Sequence, residues 1–149
     1  MRFYLFDRVI DFIPGESSIG IKNISSEEDF LIEHYDRLPV MPSPLIVEAL
    51  AQLGGWTITT SNDYKYLAVM VMIKDIEITG NAVPGDQLTL NIKIENINEY
   101  GATISAEAVI NDSSILKIGN LTYVLYELPA KDREEVKVKY TKLNKMVSA

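Results

Sequence analysis

Cysteine is absent from the 149 residues. That removes disulfides, thiolate metal sites and cysteine nucleophiles from consideration. Histidine occurs once, as His34, so a metal centre built on several imidazoles is excluded too. No run approaches the roughly 18 consecutive apolar residues of a membrane-spanning helix. The apolar N-terminus MRFYLFDRVIDFIPG is broken by Asp7, Arg8 and Asp11 and lacks the clean hydrophobic stretch of a secretory signal. A cytoplasmic protein without a membrane partner is expected. Basic residues are outnumbered 14 to 21 by acidic ones, a net charge of −7. Nucleic-acid binding draws most of its affinity from phosphate attraction, so a nucleic-acid partner is not expected.

What is present suits one globular domain with a proper core: 47% of the residues are hydrophobic and 23% charged. The charge is uneven. Residues 129–149 hold six Lys or Arg against three acids, leaving the tail about +3 and the remainder about −10. The chain therefore divides into a domain over 1–128 and a basic C-terminal extension over 129–149. The extension reads as a solvated, loosely tethered end or as a patch for an acidic partner.

Patterning points to an α+β domain. Residues 2–13 suit a strand or short helix, closed by the turn signal Pro14-Gly15. SSIGIKNIS (17–25) alternates as a strand does and offers Ile19, Ile21 and Ile24 to a core. Residues 26–43, with Pro39 and Pro42, read as an irregular packed loop. In PLIVEALAQLGGWTITTSN nearly every position from Leu45 to Ile58 is apolar, so a helix over about 44–61 has no water-facing side and belongs in the interior. Ser43 suits a cap and Pro44 the first helical position. Beyond it, residues 66–79, 87–97, 102–110 and 115–128 read as strands. Val83-Pro84-Gly85-Asp86 has the order of a type II turn. Short connections predict an antiparallel meander. About five or six strands in a curved sheet would wrap the helix.

Two residues in EHYDRLPVMPSPLIVEALAQ carry chemistry. Glu48 interrupts the oily helix, where enclosure by apolar neighbours would raise its pKa; equally, it can reach solvent at the helix start and suit the dipole. Gln52 lies one turn on, on the same face, within reach of a hydrogen bond. His34 sits in the preceding loop, a place that also suits a plain surface histidine. An imidazole base, a carboxylic acid and a helix N-terminus offering N–H donors are together the parts needed to abstract a proton beside a carbonyl and expel water.

The stretch HYDRLPVMPSPLIVEALAQLGG resembles the (3R)-hydroxyacyl-[acyl-carrier-protein] dehydratases of fatty-acid synthesis. It holds His34, Pro39, Val40, Met41, Pro42, Leu45, Val47, Glu48, Ala49, Ala51 and Gln52 in the family's register without a gap. FDRVIDFIPGESSIGIKNIS and VPGDQLTL are similar to the family's opening and to the start of a later strand. The resemblance implies a hot-dog fold, in which the sheet wraps a long central helix. It also implies a homodimer, in some members a hexamer, with the site shared between protomers. His34 would take the α-proton of a 3-hydroxyacyl thioester, Glu48 would protonate the departing hydroxyl, the Ser43 N–H would polarise the thioester carbonyl and Gln52 would orient Glu48. No cofactor is implied, and the substrate would be linked to acyl carrier protein or to CoA. Met41, Met70 and Met72 are candidates for the acyl tunnel, though methionines also fill cores. Glu33, Asp36 and Ser43-Pro44 stand where the family has Gly, Pro and Gly-Val. Met72, Glu77 and Ile78 replace a Gly and a basic-aromatic pair. The alternatives are a hot-dog protein that binds acyl thioesters without dehydrating them, and a thioesterase.

Overall fold

Alternating strands and one uniformly apolar helix can bury their faces together only if the sheet curves around the helix. In the computed structural model, which describes residues 4–32 and 39–145, they do so. Six strands, β1 (Arg8–Ile13), β2 (Ser17–Asn23), β3 (Tyr66–Ile78), β4 (Gln87–Ile97), β5 (Gly101–Ile110) and β6 (Ser113–Glu127), form one antiparallel sheet in the order β1-β2-β4-β5-β6-β3. A short helix α1 (Asp29–Ile32) and the long helix α2 (Ser43–Ser61) lie between β2 and β3, and α3 (Ala130–Lys145) follows β6. This is the hot-dog fold, and α2 packs on the concave face against β2 to β6.

The meander holds for β4, β5 and β6. It fails for β3, which pairs with β6 at the far edge of the sheet and not with β4. The segment after β3 carries the chain across, and the expected turn resets it. Gly85 has φ +95°, the Asp86 N–H donates to the Val83 carbonyl at 3.0 Å, and the Asp86 carboxylate accepts from the Val83 N–H at 2.9 Å.

The core follows strand periodicity where the sheet is regular. Leu88, Leu90, Ile92 and Ile94 of β4 and Ala102, Ile104, Ala106 and Ala108 of β5 all point inward. A register shift between Ile104 and Ala106 against β6 lets both Ile118 and Leu121 face the helix. Each fully buried Leu or Ile stabilises by about 1.5–3 kcal/mol.

The segment 17–25 follows its sequence reading only in part: Ile24 joins the core cluster as expected, but the strand face differs. Ser18 and Gly20 face the helix, while Ile19 is only half-buried and Ile21, though buried, lies outside the main cluster. Close approach decides this. A Cβ on Gly20 would stand 2.8 Å from the Leu53 side chain, and the Ser18 hydroxyl bonds that of Thr57 at 2.6 Å. Thr57 in turn donates to the Leu53 carbonyl at 2.7 Å, so the buried pair is satisfied.

The basic tail departs further. It forms α3 and does not hang free: Leu143 is buried in the core cluster, and the Trp56 indole N–H donates to the Tyr140 carbonyl at 3.1 Å. Tyr140 and Leu143, on one side of the helix, pack on the core and anchor it, while its other faces carry the charge.

Candidate active site

Helix α2 begins one residue earlier than its capping pattern suggested. Pro42 occupies the N-cap, its carbonyl accepting from the N–H groups of Leu45 (2.9 Å) and Ile46 (3.3 Å), and no side chain caps the end. Ser43 is therefore the first helical residue. Its N–H belongs to the set that helix geometry leaves without an intrahelical partner. Ser43 is absent from the positive-φ residues, so a side chain stands here without strain where the resembled family has Gly.

Glu48 lies on the second turn and is exposed. The apolar enclosure expected around it is not supplied by its own chain: on this helix Ile46, Ala49, Leu50 and Leu53 are buried, and Glu48 is not. Gln52 stands one turn on, and its Nε2 donates to Glu48 Oε1 at 3.2 Å. The amide is oriented by the N-terminal segment, whose Leu5 N–H donates to Gln52 Oε1 at 2.8 Å. An N–H can be received only by the oxygen of the amide, so the nitrogen is turned to the carboxylate.

These two residues open a groove of about 290 Å³ lined by Ala51, Gly55, Ala68, Met70, Tyr123, Tyr140 and Tyr4 beside them. Tyr123, from β6, is its floor. Its hydroxyl donates to the Ala51 carbonyl at 2.6 Å, and burial, with a smaller contribution from the Glu48 charge, pushes its phenol well above the ordinary tyrosine range. Gly54 makes room for it. A Cβ there would sit 2.5 Å from the Tyr123 hydroxyl and against Ile104 Cδ1. Tyr140, from α3, is raised as well, first by burial and then by Tyr4, against an opposing hydrogen bond from Thr59.

The three methionines part company. Met70 lines the groove. Met72 does not: it is 40% exposed, because β3 bulges between Met70, paired with Tyr123, and Met72, paired with Thr122. Tyr123 points inward and Thr122 outward, so the extra residue turns Met72 to the outer face. Met41 is 2% exposed in the core, its N–H bonded to the Ala82 carbonyl, and does not reach the groove. His34, with Glu33 and Asp36, lies outside the described residues.

Tyr4, Tyr123 and Tyr140 escaped the sequence reading. They come from three distant segments, and only Tyr123 had a local signal, as an inward position of an alternating strand. Among the described residues, no group of His, Asp or Glu is arranged to hold a metal ion, and no helix is long and apolar enough to cross a membrane.

Known proteins share both the sequence and the shape. The FabA-like domain matches residues 1–118. A 3-hydroxyacyl-[acyl-carrier-protein] dehydratase FabZ from Ruminiclostridium cellulolyticum is 33% identical over 124 residues, covering 83% of this chain and 87% of that one. Among solved structures, a Streptococcus mutans UA159 protein bound to acetyl CoA superposes with a TM-score of 0.67 at 14% identity, over 85% of this chain and 94% of that one. A hypothetical thioesterase with coenzyme A from Streptococcus pneumoniae TIGR4 gives 0.63 at 9%, over 83% and 90%. The dehydratase heterocomplex ApeI:P from Xenorhabdus doucetiae gives 0.61 at 10%, over 78% and 96%. At such identities these structures speak for the fold alone. The family match over most of the chain says more: the protein belongs to the FabA-like, FabZ-related dehydratase family.

Proposed function

We propose that the protein dehydrates a (3R)-3-hydroxyacyl thioester, carried on acyl carrier protein, to the trans-2-enoyl thioester. The observation that carries this reading is the Glu48–Gln52 pair at the mouth of an otherwise apolar and aromatic groove, in a chain of this family. Neutral His34 removes the α-proton, and the charge that develops on the thioester oxygen is held by the Ser43 N–H at the start of α2. Protonated Glu48 delivers its proton to the 3-hydroxyl as the C–O bond breaks and water leaves. Return of the proton from His34 to Glu48 resets the pair. Gln52 positions Glu48 without touching the reacting atoms.

The site is shared by two protomers, His34 from one and Glu48 from the other, and the second protomer supplies the enclosure that Glu48 lacks within its own chain. Support comes from β3, an edge strand on which Val69, Val71, Met72, Ile76 and Ile78 are 40–55% exposed. Such an edge invites a second copy. The lysines of α3 offer positive charge to an acidic carrier protein.

The test is to incubate the protein with 3-hydroxyacyl thioesters of carrier protein and of CoA, following absorbance of the conjugated enoyl thioester and, separately, free thiol. Enoyl product that disappears in His34→Ala and Glu48→Gln is expected. Thiol release without enoyl product would make the protein a thioesterase, and tight binding with neither product would make it an acyl-binding protein.

A further inference from the structure

Helix α3 lies beyond the stretch that the FabA-like domain matches, yet it reaches the groove. On α2 the groove follows one face: Glu48, Gln52, Gly55 and then Thr59, spaced four, three and four residues apart. Gly55 keeps it open without being required by the packing, since a Cβ there would meet its nearest neighbours, the Ala68 carbonyl and the Tyr123 ring, at an ordinary 3.8 Å. At Thr59 the groove ends. Thr59 is 0% exposed and its hydroxyl accepts from the Ala68 N–H at 3.1 Å, so it does not line the groove, whereas Tyr140 does. Tyr140 is itself held from two sides, by the Trp56 indole bonded to its carbonyl at 3.1 Å and by the ring of Tyr64 stacked edge-on at 6.2 Å.

We infer that Tyr140 of the C-terminal helix is the end wall of the acyl groove and sets the longest acyl chain that the protein accepts. From Glu48 to Gly55 the helix rises about 10 Å, a length that suits a medium acyl chain and not a hexadecanoyl one. The Trp56–Tyr140 bond and the Tyr64 ring fix the wall, so the limit belongs to this chain's extension and not to the sheet. The inference rests on the proposed reading of the groove as the acyl site.

The experiment compares wild type, Tyr140→Ala, Tyr140→Phe and Tyr140→Trp in the full chain. Turnover is measured on 3-hydroxybutanoyl, 3-hydroxyoctanoyl and 3-hydroxyhexadecanoyl thioesters. Calorimetry measures binding of the matching saturated, unreactive acyl-pantetheine thioesters. Trp56 is the only tryptophan, and its partner is the backbone carbonyl of Tyr140, so its fluorescence reports in every variant whether α3 stays docked. With α3 docked, Tyr140→Ala should raise the hexadecanoyl-to-butanoyl ratio at least about tenfold, the gain from seating a few further methylenes. Tyr140→Phe should keep the wild-type profile, and Tyr140→Trp should shift it to shorter chains. Ratios unchanged in both the Ala and Trp variants overturn the inference. Should the wild type bind acyl thioesters without dehydrating them, the proposed reaction fails, while the binding series still tests the wall.

Discussion

The backbone N–H of Leu5 donates to Gln52 Oε1 at 2.8 Å, and this bond turns the amide nitrogen to Glu48. A strand-leading segment at the N-terminus thus orients a carboxylate that lies more than forty residues along the chain. Replacing Gln52 with Leu removes the donor to Glu48 and leaves the Leu5 N–H without its acceptor. Glu48 gains charge only as it gives up its proton, and losing a hydrogen bond to a charged group costs about 1.5–3 kcal/mol, so kcat should fall about tenfold or more while KM changes little. Gln52→Glu keeps an acceptor for Leu5 but puts two carboxylates side by side, which raises the pKa of one of them. Its pH–rate profile should move, whereas that of the Leu variant should only drop in height.

Adjacent glycines in α2 should behave in opposite ways. Gly54→Ala drives a Cβ into Ile104 and to 2.5 Å from the Tyr123 hydroxyl, which is tied to the Ala51 carbonyl and has little freedom to yield. Overpacking of this kind costs about 1–3 kcal/mol. Gly55→Ala meets nothing closer than 3.8 Å and should stabilise by about 0.5–1 kcal/mol through the lower entropy of the unfolded chain. Urea unfolding of the two variants checks the contrast. Equal effects would mean that the helix, and not its neighbours, sets the cost.

Tyr123 should make stability fall at high pH. Its phenol, held up mainly by burial and secondarily by the Glu48 charge, keeps its proton in the folded chain after the unfolded chain has lost it. A raised folded pKa stabilises fully below the unfolded value of about 10, and that contribution is lost as pH climbs from there through the folded value. Tyr140 acts in the same direction. Tyr123→Phe should therefore flatten the decline of unfolding free energy above about pH 10. At neutral pH it should cost about 0.5–1.5 kcal/mol for the lost bond to Ala51. An unchanged slope would show that Tyr123 does not carry the effect.

The proposed pairing of protomers predicts that Val71→Lys, at a position 55% exposed on the β3 edge, halves the mass in light scattering. Dehydration should be lost with it, because His34 and Glu48 would no longer meet. A fully active monomer would sink the shared site.

Carrier docking through α3 is tested by charge and not by truncation, since removing the helix would also take Leu143 and the Trp56 contact out of the core. Lys137→Glu with Lys142→Glu, both exposed, should raise KM for the carrier-linked substrate about fivefold to tenfold at low salt. KM for the pantetheine analogue should stay put. A rise in both would point to the groove instead.

Strong local patterns were legible in the sequence. The apolar run of α2, the alternation of β4 and β5 and the Pro84-Gly85 turn each repeat one physical rule over several neighbours, so tertiary context had little to overrule. The same holds for Glu48 and Gln52, whose one-turn spacing alone puts them on one face. Where single contacts decide, the pattern misleads. On β2 the isoleucines lost the helix face to Ser18 and Gly20 because Leu53 needs the space. On β3 one bulge separated Met70 from Met72.

The sequence by itself determined the α+β class, the buried central helix, the polar pair upon it and the family resemblance, because periodicity and a gap-free motif are local in the chain. Only the tertiary structure decided that β3 closes on β6, that Leu5 orients Gln52, and that the basic tail folds into a helix with Tyr140 against the groove. Those contacts join segments tens of residues apart. Their outcome depends on which small residues permit close approach, and no local window of the chain records that.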